Sequence, residues 1–307
     1  MPAWDLFKNL NEYFPSKDNN ILPVISSRGC PFKCAFCHNA NVNVRKYLGP
    51  YRVTSANRII DEYEFIQSKI KNKIGMINAD SDYHLVSKDY LRNWCETMKK
   101  RAPNIKWGTC GRYSSMDLEM VEMLKKSNCV EINLGVESGS KRIQEFNCKV
   151  IDLKKAMIIG RALTKSKIFL INTYILGHPT ETLDDLKQTI RYIRKIPASS
   201  NIVQIYRPIP GTPYYELSVK ESKIQLFNKL EDWGTQGTLR DNINVSQIPD
   251  RTLVRYFFII NFIEQWKELY NRQKYNLRNR FYRDFWYTFV SNRFIKKLKE
   301  ILESYGL

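Results

Sequence analysis

Three cysteines, Cys30, Cys34 and Cys37, lie within eight residues and follow the spacing Cys-x3-Cys-x2-Cys. Thiolates on a short loop are the usual ligands of iron–sulfur clusters, and a cubane 4Fe–4S cluster normally takes four of them. Three ligands would leave one iron without a protein thiolate, so that iron could bind a small molecule. The spacing therefore predicts a cluster that takes part in chemistry as well as in electron transfer.

Other uses of clustered cysteines agree less well with the sequence. A zinc site would need a further Cys or His pair to complete its four ligands, and no such pair accompanies this loop. A disulfide framework is not expected, because the chain has seven cysteines and no signal peptide. We interpret Cys95, Cys129 and Cys148 as structural and Cys110, which ends a predicted strand, as a small buried residue.

Composition and charge limit the classes of partner. Hydrophobic residues make up 43% and charged residues 26% of the chain, as in globular proteins. No apolar run approaches about 18 residues, so we predict no transmembrane segment and expect a cytoplasmic protein. The net charge of +18 would suit nucleic acid, anionic membranes or acidic molecules. The excess is spread along the chain, with +5 in residues 221–307 and +13 in the remainder, so nucleic acid is a competing partner that the sequence does not favour.

Six short apolar, β-branched segments have the character of buried strands. They are Ile21–Ser26, Ile74–Ala79, Ile105–Cys110, Val130–Leu134, Ile168–Leu176 and Ile202–Tyr206. Helical patterns separate them, and the pairs Thr182 with Asp185 and Ser114 with Asp117 have the spacing of capping boxes at helix starts. Strands that alternate with helices predict a parallel sheet. No Gly-x-Gly-x-x-Gly follows a strand, so we predict a partial (β/α)6 TIM-like barrel instead of a dinucleotide-binding sheet.

The chain divides into three predicted regions. Residues 1–20 form a leader segment, residues 21–215 form the partial barrel, and residues 216–307 form a mostly helical, aromatic-rich C-terminal extension. In barrels of parallel strands the functional groups gather at the carboxyl ends of the strands. Each predicted strand is followed by polar residues there: the cysteine loop and residues 78–80, 109–112, 135–139, 177–182 and 207–213. We therefore expect one active site at this rim.

The cysteine motif, with the aromatic Phe36 before its third cysteine, is similar to the signature of the radical S-adenosylmethionine (SAM) superfamily. Three later segments, residues 135–139, 176–182 and 208–213, resemble motifs of one branch. That branch contains the cobalamin-dependent enzymes of the anaerobic magnesium-protoporphyrin cyclase type. The resemblance covers roughly residues 1–215.

The chain departs from that branch in two respects. We expect the cobalamin-binding domain that usually precedes the barrel to be absent from this chain, so that cobalamin, if used, would come from a separate cobalamin-binding subunit. Asn78, Ala79 and Asp80 stand where many superfamily members have Gly-Gly-Glu after the second strand. We interpret His84, in a near match to the Asp-x-His-x-x-Gly motif of cobalamin proteins, as a coincidence within the barrel.

The resemblance implies a mechanism. Cys30, Cys34 and Cys37 would hold a 4Fe–4S cluster, and the amino and carboxylate groups of SAM would bind the fourth iron. One electron from a donor such as flavodoxin or ferredoxin would cleave SAM into methionine and a 5′-deoxyadenosyl radical. That radical would abstract hydrogen from a small-molecule or peptide substrate. The substrate radical formed in this way could then undergo methyl transfer or cyclisation. The cofactors supply the reactivity, and the protein positions them.

The same resemblance assigns roles to further residues. Phe36 would lie along the adenine. Glu137 and Ser138 would bind the ribose hydroxyls or the amino group of SAM through charge-assisted hydrogen bonds, and Arg112 would meet the carboxylate. Asp80 is a second candidate for the ammonium. Alternatively, Arg112 and Glu137 could cap helices or pair with each other.

Several interpretations remain open at this level. We expect His38 to pack on the cysteine loop, and His178 and Arg207 to line the substrate space. A non-catalytic iron–sulfur sensor or electron carrier is an alternative function, and an RNA-modifying radical SAM protein is another. The basic and aromatic run from Arg272 to Arg283 could contact RNA, but we favour a solvated helix face as its explanation.

Overall fold

A sheet of six parallel strands forms the centre of this computed structural model, which describes residues 2–17, 20–79, 81–85, 87–221, 223–224 and 244–274. The strands are β1 (Asn20–Val24), β2 (Ser27–Arg28), β3 (Arg52–Val53), β4 (Ile74–Ala79), β5 (Lys106–Gly111), β6 (Cys129–Glu137), β7 (Phe169–Leu176) and β8 (Ser200–Ile205). The large sheet has the order β1-β4-β5-β6-β7-β8, and β2 pairs with β3 in a small antiparallel ladder. This curled half-barrel confirms the predicted partial (β/α)6 architecture, and each predicted strand overlaps an observed one.

Helices connect the consecutive strands of the half-barrel. They are α1 (Val42–Leu48), α2 (Ala56–Lys69), α3 (Lys88–Arg101), α4 (Leu118–Lys126), α5 (Lys141–Phe146), α6 (Leu153–Lys165), α7 (Leu183–Lys195), α8 (Pro213–Lys220) and α9 (Asp250–Lys274). Parallel neighbours start at the same end of a sheet, so each pair needs a long crossover connection. The helices α1 to α7 provide these crossovers, and α8 and α9 follow the last strand.

The two faces of the sheet differ in burial. Ile77 and Ile132 on the outer face have no exposed surface and pack in the main hydrophobic core. Asn78, Asn133 and Thr173 point to the opposite face and are only half-buried. Side chains alternate between the faces of a strand, so the pattern separates an apolar outer face from a polar inner face. The inner face of the half-barrel is therefore an open concave surface.

His84 belongs to the outer core. Its Nδ1 lies 2.7 Å from Ser26 Oγ, and its ring packs 4.5 Å from Trp94 and 6.2 Å from Trp107, measured between ring centroids. Burial lowers the pKa of this imidazole to about 3, so it is neutral in the folded protein. The residue is thus placed as part of the barrel packing.

The two predicted capping boxes have different outcomes. Thr182 and Asp185 form the predicted box at the start of α7, with reciprocal side-chain to backbone hydrogen bonds. The box that begins at Ser114 was wrong. Ser114 lies in a short 3-10 turn, and Asp117 itself caps α4 by accepting a hydrogen bond from Met120 N. An acidic residue is as good an N-cap as serine, so Asp117 caps the helix in place of Ser114.

Helix α9 covers the β8 edge of the sheet. Two of its side chains bond to the strand backbone: Glu264 Oε2 accepts from Asn201 N at 3.0 Å, and Asn261 Nδ2 donates to Val203 O at 3.1 Å. Two others bond at the start of the strand: Glu268 Oε2 accepts from Ser200 Oγ at 2.9 Å, and Asn271 Nδ2 donates to O of the preceding Ser199 at 2.6 Å. Positions 261, 264, 268 and 271 lie on one side of a helix because they are three or four residues apart. Unpaired strand edges recruit further strands, and these polar side chains occupy the edge instead.

Helices α8 and α9 form the helical part of the predicted C-terminal extension that the structure describes. Within the described ranges, no helix combines the length and apolar character needed to cross a membrane. Residues 275–307, which carry much of the predicted aromatic segment and most of the basic run that ends at Arg283, lie outside the described residues. Asp80 also lies outside them.

Candidate functional site

Backbone hydrogen bonds fix the cysteine loop to distant parts of the chain. Ala35 N donates to Asn147 O at 3.1 Å, and Tyr214 N donates to Ala35 O at 3.2 Å. Within the loop, Cys37 N donates to Cys34 O at 2.9 Å and closes a turn. These bonds join the loop to the segments that follow β6 and β8, which places it at the carboxyl ends of the parallel strands.

Arg45 of α1 holds the loop from another side. Its Nε donates to Asn39 O at 2.7 Å, and its Nη2 donates to Cys30 O at 2.8 Å and to Phe32 O at 3.2 Å. A planar guanidinium presents several donors in a fixed geometry and can therefore order three carbonyl groups at once. The sequence analysis missed this residue, since nothing in the local pattern connects it with the cysteines.

Arg112, at the end of β5, contacts the loop directly. Its Nη1 lies 3.3 Å from Cys34 Sγ, and its guanidinium stacks 3.8 Å from the centroid of the Phe32 ring. The residue is only 9% exposed. A buried positive charge thus lies beside a sulfur atom that would be anionic as a metal ligand. The predicted contact between Arg112 and the carboxylate of SAM stays a prediction.

The three thiols of the loop are free and half-buried. None of them forms a disulfide. Burial raises the pKa of Cys30 and of Cys37, while backbone N–H groups within the loop lower it in part. In the described ranges, no three His, Cys, Asp or Glu side chains converge on a position for a single metal ion. A cubane binds its thiolates at separate irons, so the predicted cluster does not require such a convergence and stays a prediction.

Phe36 lies at the rim among aromatic rings. Its centroid is 6.3 Å from that of His178, which is 6.4 Å from Tyr206 and 5.9 Å from Tyr214. His178 has no exposed surface, and burial lowers its pKa to about 4. A cavity of about 510 Å³ opens beside Phe36 and is also lined by Arg207. The predicted roles of Phe36, His178 and Arg207 toward SAM or a substrate stay predictions.

Glu137 forms a buried ion pair at the end of β6, and its partner is Lys149. Lys149 Nζ donates to Glu137 Oε1 at 2.6 Å, and both residues are 7% exposed. Glu137 has a φ of +67°, a conformation that costs about 1 kcal/mol or more for a residue other than glycine. Gly135 makes room for the pair, because a Cβ there would lie 2.2 Å from Glu137 Oε1 and 2.4 Å from Lys149 Nζ. Arg112 and Glu137 therefore have separate partners.

Ser138 lies beneath the rim. It has no exposed surface, its Oγ is 3.1 Å from Thr189 Oγ1 of α7, and the same Oγ accepts from Ser140 N at 3.2 Å. These bonds join the end of β6 to α7. The structure thus brings Phe36, Arg112 and Glu137 to the rim and gives Ser138 a packing position below it.

His38 packs on the cysteine loop, as expected from the sequence. Its Nε2 lies 3.4 Å from Asp82 Oδ1, and Asp82 Oδ2 accepts from Gly29 N at 2.9 Å. The carboxylate therefore connects the loop to the segment after β4. Asp82 was missed as a loop contact, although its position shortly after a predicted strand end was a usable signal.

Glu181 is a third residue, after Arg45 and Asp82, that the sequence analysis did not single out. Its Oε2 accepts hydrogen bonds from Gly177 N at 2.5 Å and from His178 N at 3.1 Å, and the side chain has no exposed surface. Burial raises its pKa to about 8, so the carboxyl group is mostly protonated at neutral pH. Glu181 fixes the turn after β7 that carries His178 toward Phe36.

A family model described as "Radical SAM superfamily" matches residues 24–193 of this chain. That match covers more than half of the 307 residues. With the half-barrel and the cysteine loop at its rim, it shows that the chain belongs to the Radical SAM superfamily. Membership implies a 4Fe–4S cluster and SAM as cofactors.

Curated relatives share sequence with this chain. An uncharacterised methyltransferase of Pyrococcus horikoshii is 25% identical over 240 residues, which are 74% of this chain and 51% of the relative. The anaerobic magnesium-protoporphyrin IX monomethyl ester cyclase of Cereibacter sphaeroides is 28% identical over 225 residues, which are 70% of this chain and 35% of the relative. The chain thus spans about half or less of the length of these proteins.

A solved structure shows the same fold. The radical SAM methyltransferase TsrM of Kitasatospora setae, with cobalamin and a [4Fe–4S] cluster bound, superposes with a TM-score of 0.57. The match covers 68% of this chain and 41% of that one, at 14% sequence identity. The similarity confirms the architecture of the half-barrel.

Proposed function

We propose that Cys30, Cys34 and Cys37 ligate three irons of a 4Fe–4S cluster and leave the fourth iron for SAM. The observation that carries the proposal is the loop itself. It holds three disulfide-free thiols at the rim of a half-barrel, and a buried Arg112 guanidinium lies 3.3 Å from one of them. The fixed backbone of the loop keeps the thiols in place before the cluster binds.

The polar residues at the rim suit the amino-acid end of SAM, which carries an ammonium and a carboxylate. Glu137 and Lys149 form a pair with the matching charges. We propose that Glu137 faces the ammonium and that Lys149, together with Arg112, faces the carboxylate. Phe36 would lie along the adenine. Roles for Asp80 at the ammonium and Ser138 at the ribose remain part of the prediction.

When bound, the cluster supplies the electron that cleaves SAM to methionine and a 5′-deoxyadenosyl radical. The protein's own contribution is to hold the reactants above the concave inner face. That face carries neutral polar side chains, among them Asn78, Asn133 and Thr173, which could orient a substrate by hydrogen bonds. The cavity beside Phe36 would extend this substrate space toward α9.

The proposed reaction is methyl transfer or ring closure on a small-molecule or peptide substrate. The names of the curated relatives support it, since one is a methyltransferase and the other a cyclase. A methyltransferase with this fold binds cobalamin. We propose that this chain either uses cobalamin held by a separate subunit or reacts with the cluster and SAM alone. An external donor such as flavodoxin or ferredoxin supplies electrons, and a reducing compartment, the cytoplasm, suits the free thiols.

Anaerobic reconstitution with iron, sulfide and SAM tests the proposal. The reduced wild-type protein should show an electron paramagnetic resonance (EPR) signal of a 4Fe–4S cluster and should form 5′-deoxyadenosine. Cys34→Ala should lose the product, whereas Cys148→Ala, which changes an exposed cysteine outside the loop, should retain it. A cluster signal without 5′-deoxyadenosine would instead identify an iron–sulfur sensor or electron carrier. Equal product from Cys34→Ala would contradict the ligand assignment.

An anaerobic titration with cobalamin separates the two versions of the reaction. Binding in the micromolar range or tighter, together with a change in the rate of 5′-deoxyadenosine formation, supports the cobalamin-dependent version. Undetectable binding with an unchanged rate supports the version that uses only the cluster and SAM.

A further inference from the structure

The segment that carries the cysteine loop lacks carboxylates. Residues 20–60 contain six Lys and Arg residues and no Asp or Glu, although 31 Asp and Glu in 307 residues would place about four in a stretch of this length. This segment includes β1, the β2–β3 ladder, the cysteine loop and α1. All the charged side chains of this segment are thus cations, which stands out even in a basic chain, and the nearby carboxylate of Asp82 comes from outside the segment.

Four of the six cations are exposed around the loop, and apolar groups lie between them. The exposed cations of the loop, the ladder and α1 are Arg28, Lys33, Lys46 and Arg52. On α1, Val42 is 75% and Tyr47 is 84% exposed. Exposed aromatic and aliphatic groups flanked by charges are typical of protein interfaces, in which aromatic residues contribute much of the affinity. We call this surface, formed by Arg28, Lys33, Val42, Lys46, Tyr47 and Arg52, the basic face.

A cavity connects the basic face with the cysteines. It has a volume of about 500 Å³ and lies between the loop and the turn that follows α1. Cys30, Arg45 and Tyr51 are among the residues that line it. Cys30, one of the three cysteines of the loop, therefore lines a cavity that borders the basic face.

We propose that the basic face is the docking surface for an acidic one-electron carrier protein. This inference rests on the proposed function, because cleavage of SAM takes one electron. The carrier would lose this electron, and the 4Fe–4S cluster held by the cysteines would gain it. A carboxylate-rich carrier would be steered to this face, because the charged side chains that the segment contributes to it are all cations. RNA is also a polyanion, but phosphate contacts alone would not require access to Cys30.

Charge reversal at two positions tests the docking surface. The variant Lys46→Glu with Arg52→Glu changes the basic face without touching a cysteine or Arg45. The double variant Lys187→Glu with Arg191→Glu, at two exposed positions of α7, is the matched control for total charge. Binding of an acidic flavodoxin to the full, reconstituted chain is measured by isothermal titration calorimetry at low and high salt. The formation of 5′-deoxyadenosine is then compared with reduced flavodoxin and with dithionite as the reductant.

The double variant should weaken flavodoxin binding about tenfold or more, and salt should weaken binding of the wild-type protein in the same direction. Dithionite is a small reductant, so its product yield should be the same for the variant and the wild type. Equal flavodoxin binding by the variant, or an equal loss in the control Lys187→Glu with Arg191→Glu, would overturn the proposal. Loss of RNA binding with flavodoxin binding unchanged would assign the face to RNA. If dithionite gives no product even with the wild type, the proposed function fails, while the binding data still judge the surface.

Discussion

Removal of one charge from the Glu137–Lys149 pair should destabilise the protein strongly. Both residues are 7% exposed, and Lys149→Met leaves the Glu137 carboxylate buried without its cation. The loss of one partner of a buried pair costs about 3–5 kcal/mol. We therefore expect Lys149→Met to lower the free energy of unfolding by about 3 kcal/mol. The double variant Lys149→Met with Glu137→Gln, which removes both charges, should recover about half of that loss.

Anaerobic urea unfolding of the reduced protein without cofactors, followed by circular dichroism, measures these values. The m-values should agree among the variants, since the surface exposed on unfolding does not change. The exposed pair Lys88–Glu119, with Nζ and Oε2 at 2.8 Å, is the matched control and should show no coupling above experimental error. A double-mutant cycle for Glu137 and Lys149 with a coupling below about 0.5 kcal/mol would refute the inference that the pair stabilises the rim.

Three further predictions concern the surroundings of the site. Arg112→Gln should shift the cluster's midpoint potential to more negative values, because the positive charge beside Cys34 is lost. An EPR-monitored redox titration measures this potential, and Arg112→Lys should reverse part of the shift. The folded pKa of His178 is about 4 and its ordinary value is 6.5, so wild-type stability should fall below pH 6.5, by about 2 kcal/mol at pH 5 from this group. Urea unfolding against pH should show that His178→Phe lacks this part of the decrease. Gly139→Ala should lower the free energy of unfolding by about 2 kcal/mol or more in the same assay, because its Cβ would lie 2.7 Å from the α7 backbone. An unchanged potential, pH dependence or free energy of unfolding would contradict the respective prediction.

Local patterns were sufficient for the strands and for the cysteine loop. The segment Ile74–Ala79 is a strand with the bounds that its apolar, β-branched residues predict. Such runs are informative because a strand of a parallel sheet is buried on at least one face along its whole length. The cysteine spacing was equally informative, since it lies within one loop and does not depend on the rest of the fold.

Contacts between segments were not predictable in the same way. Lys149 reaches Glu137 only because Glu137 adopts a positive φ and Gly135 has no side chain, and neither condition is visible in the sequence. Ser138 follows Glu137 directly but points to Thr189 of α7, so adjacent residues in one motif have different surroundings. Arg45 reaches the loop from a helix whose orientation depends on tertiary packing. Strand alternation would have identified Asn133 as an inner-face residue, and this signal was available.

Helix α9 sets a limit on how the barrel can grow. Glu264 and Asn261 bond to Asn201 N and Val203 O, which are backbone groups of β8 that a seventh strand would otherwise use, and Glu268 and Asn271 bond to Ser200 Oγ and Ser199 O beside them. The sheet therefore stops at six strands on this side, and the width of the mouth above the inner face is determined by a helix and not by barrel closure. The spacing Asn-x2-Glu-x3-Glu-x2-Asn is a sequence marker for this arrangement. Related chains that carry it after their last strand should have mouths of similar width and should admit substrates of similar size.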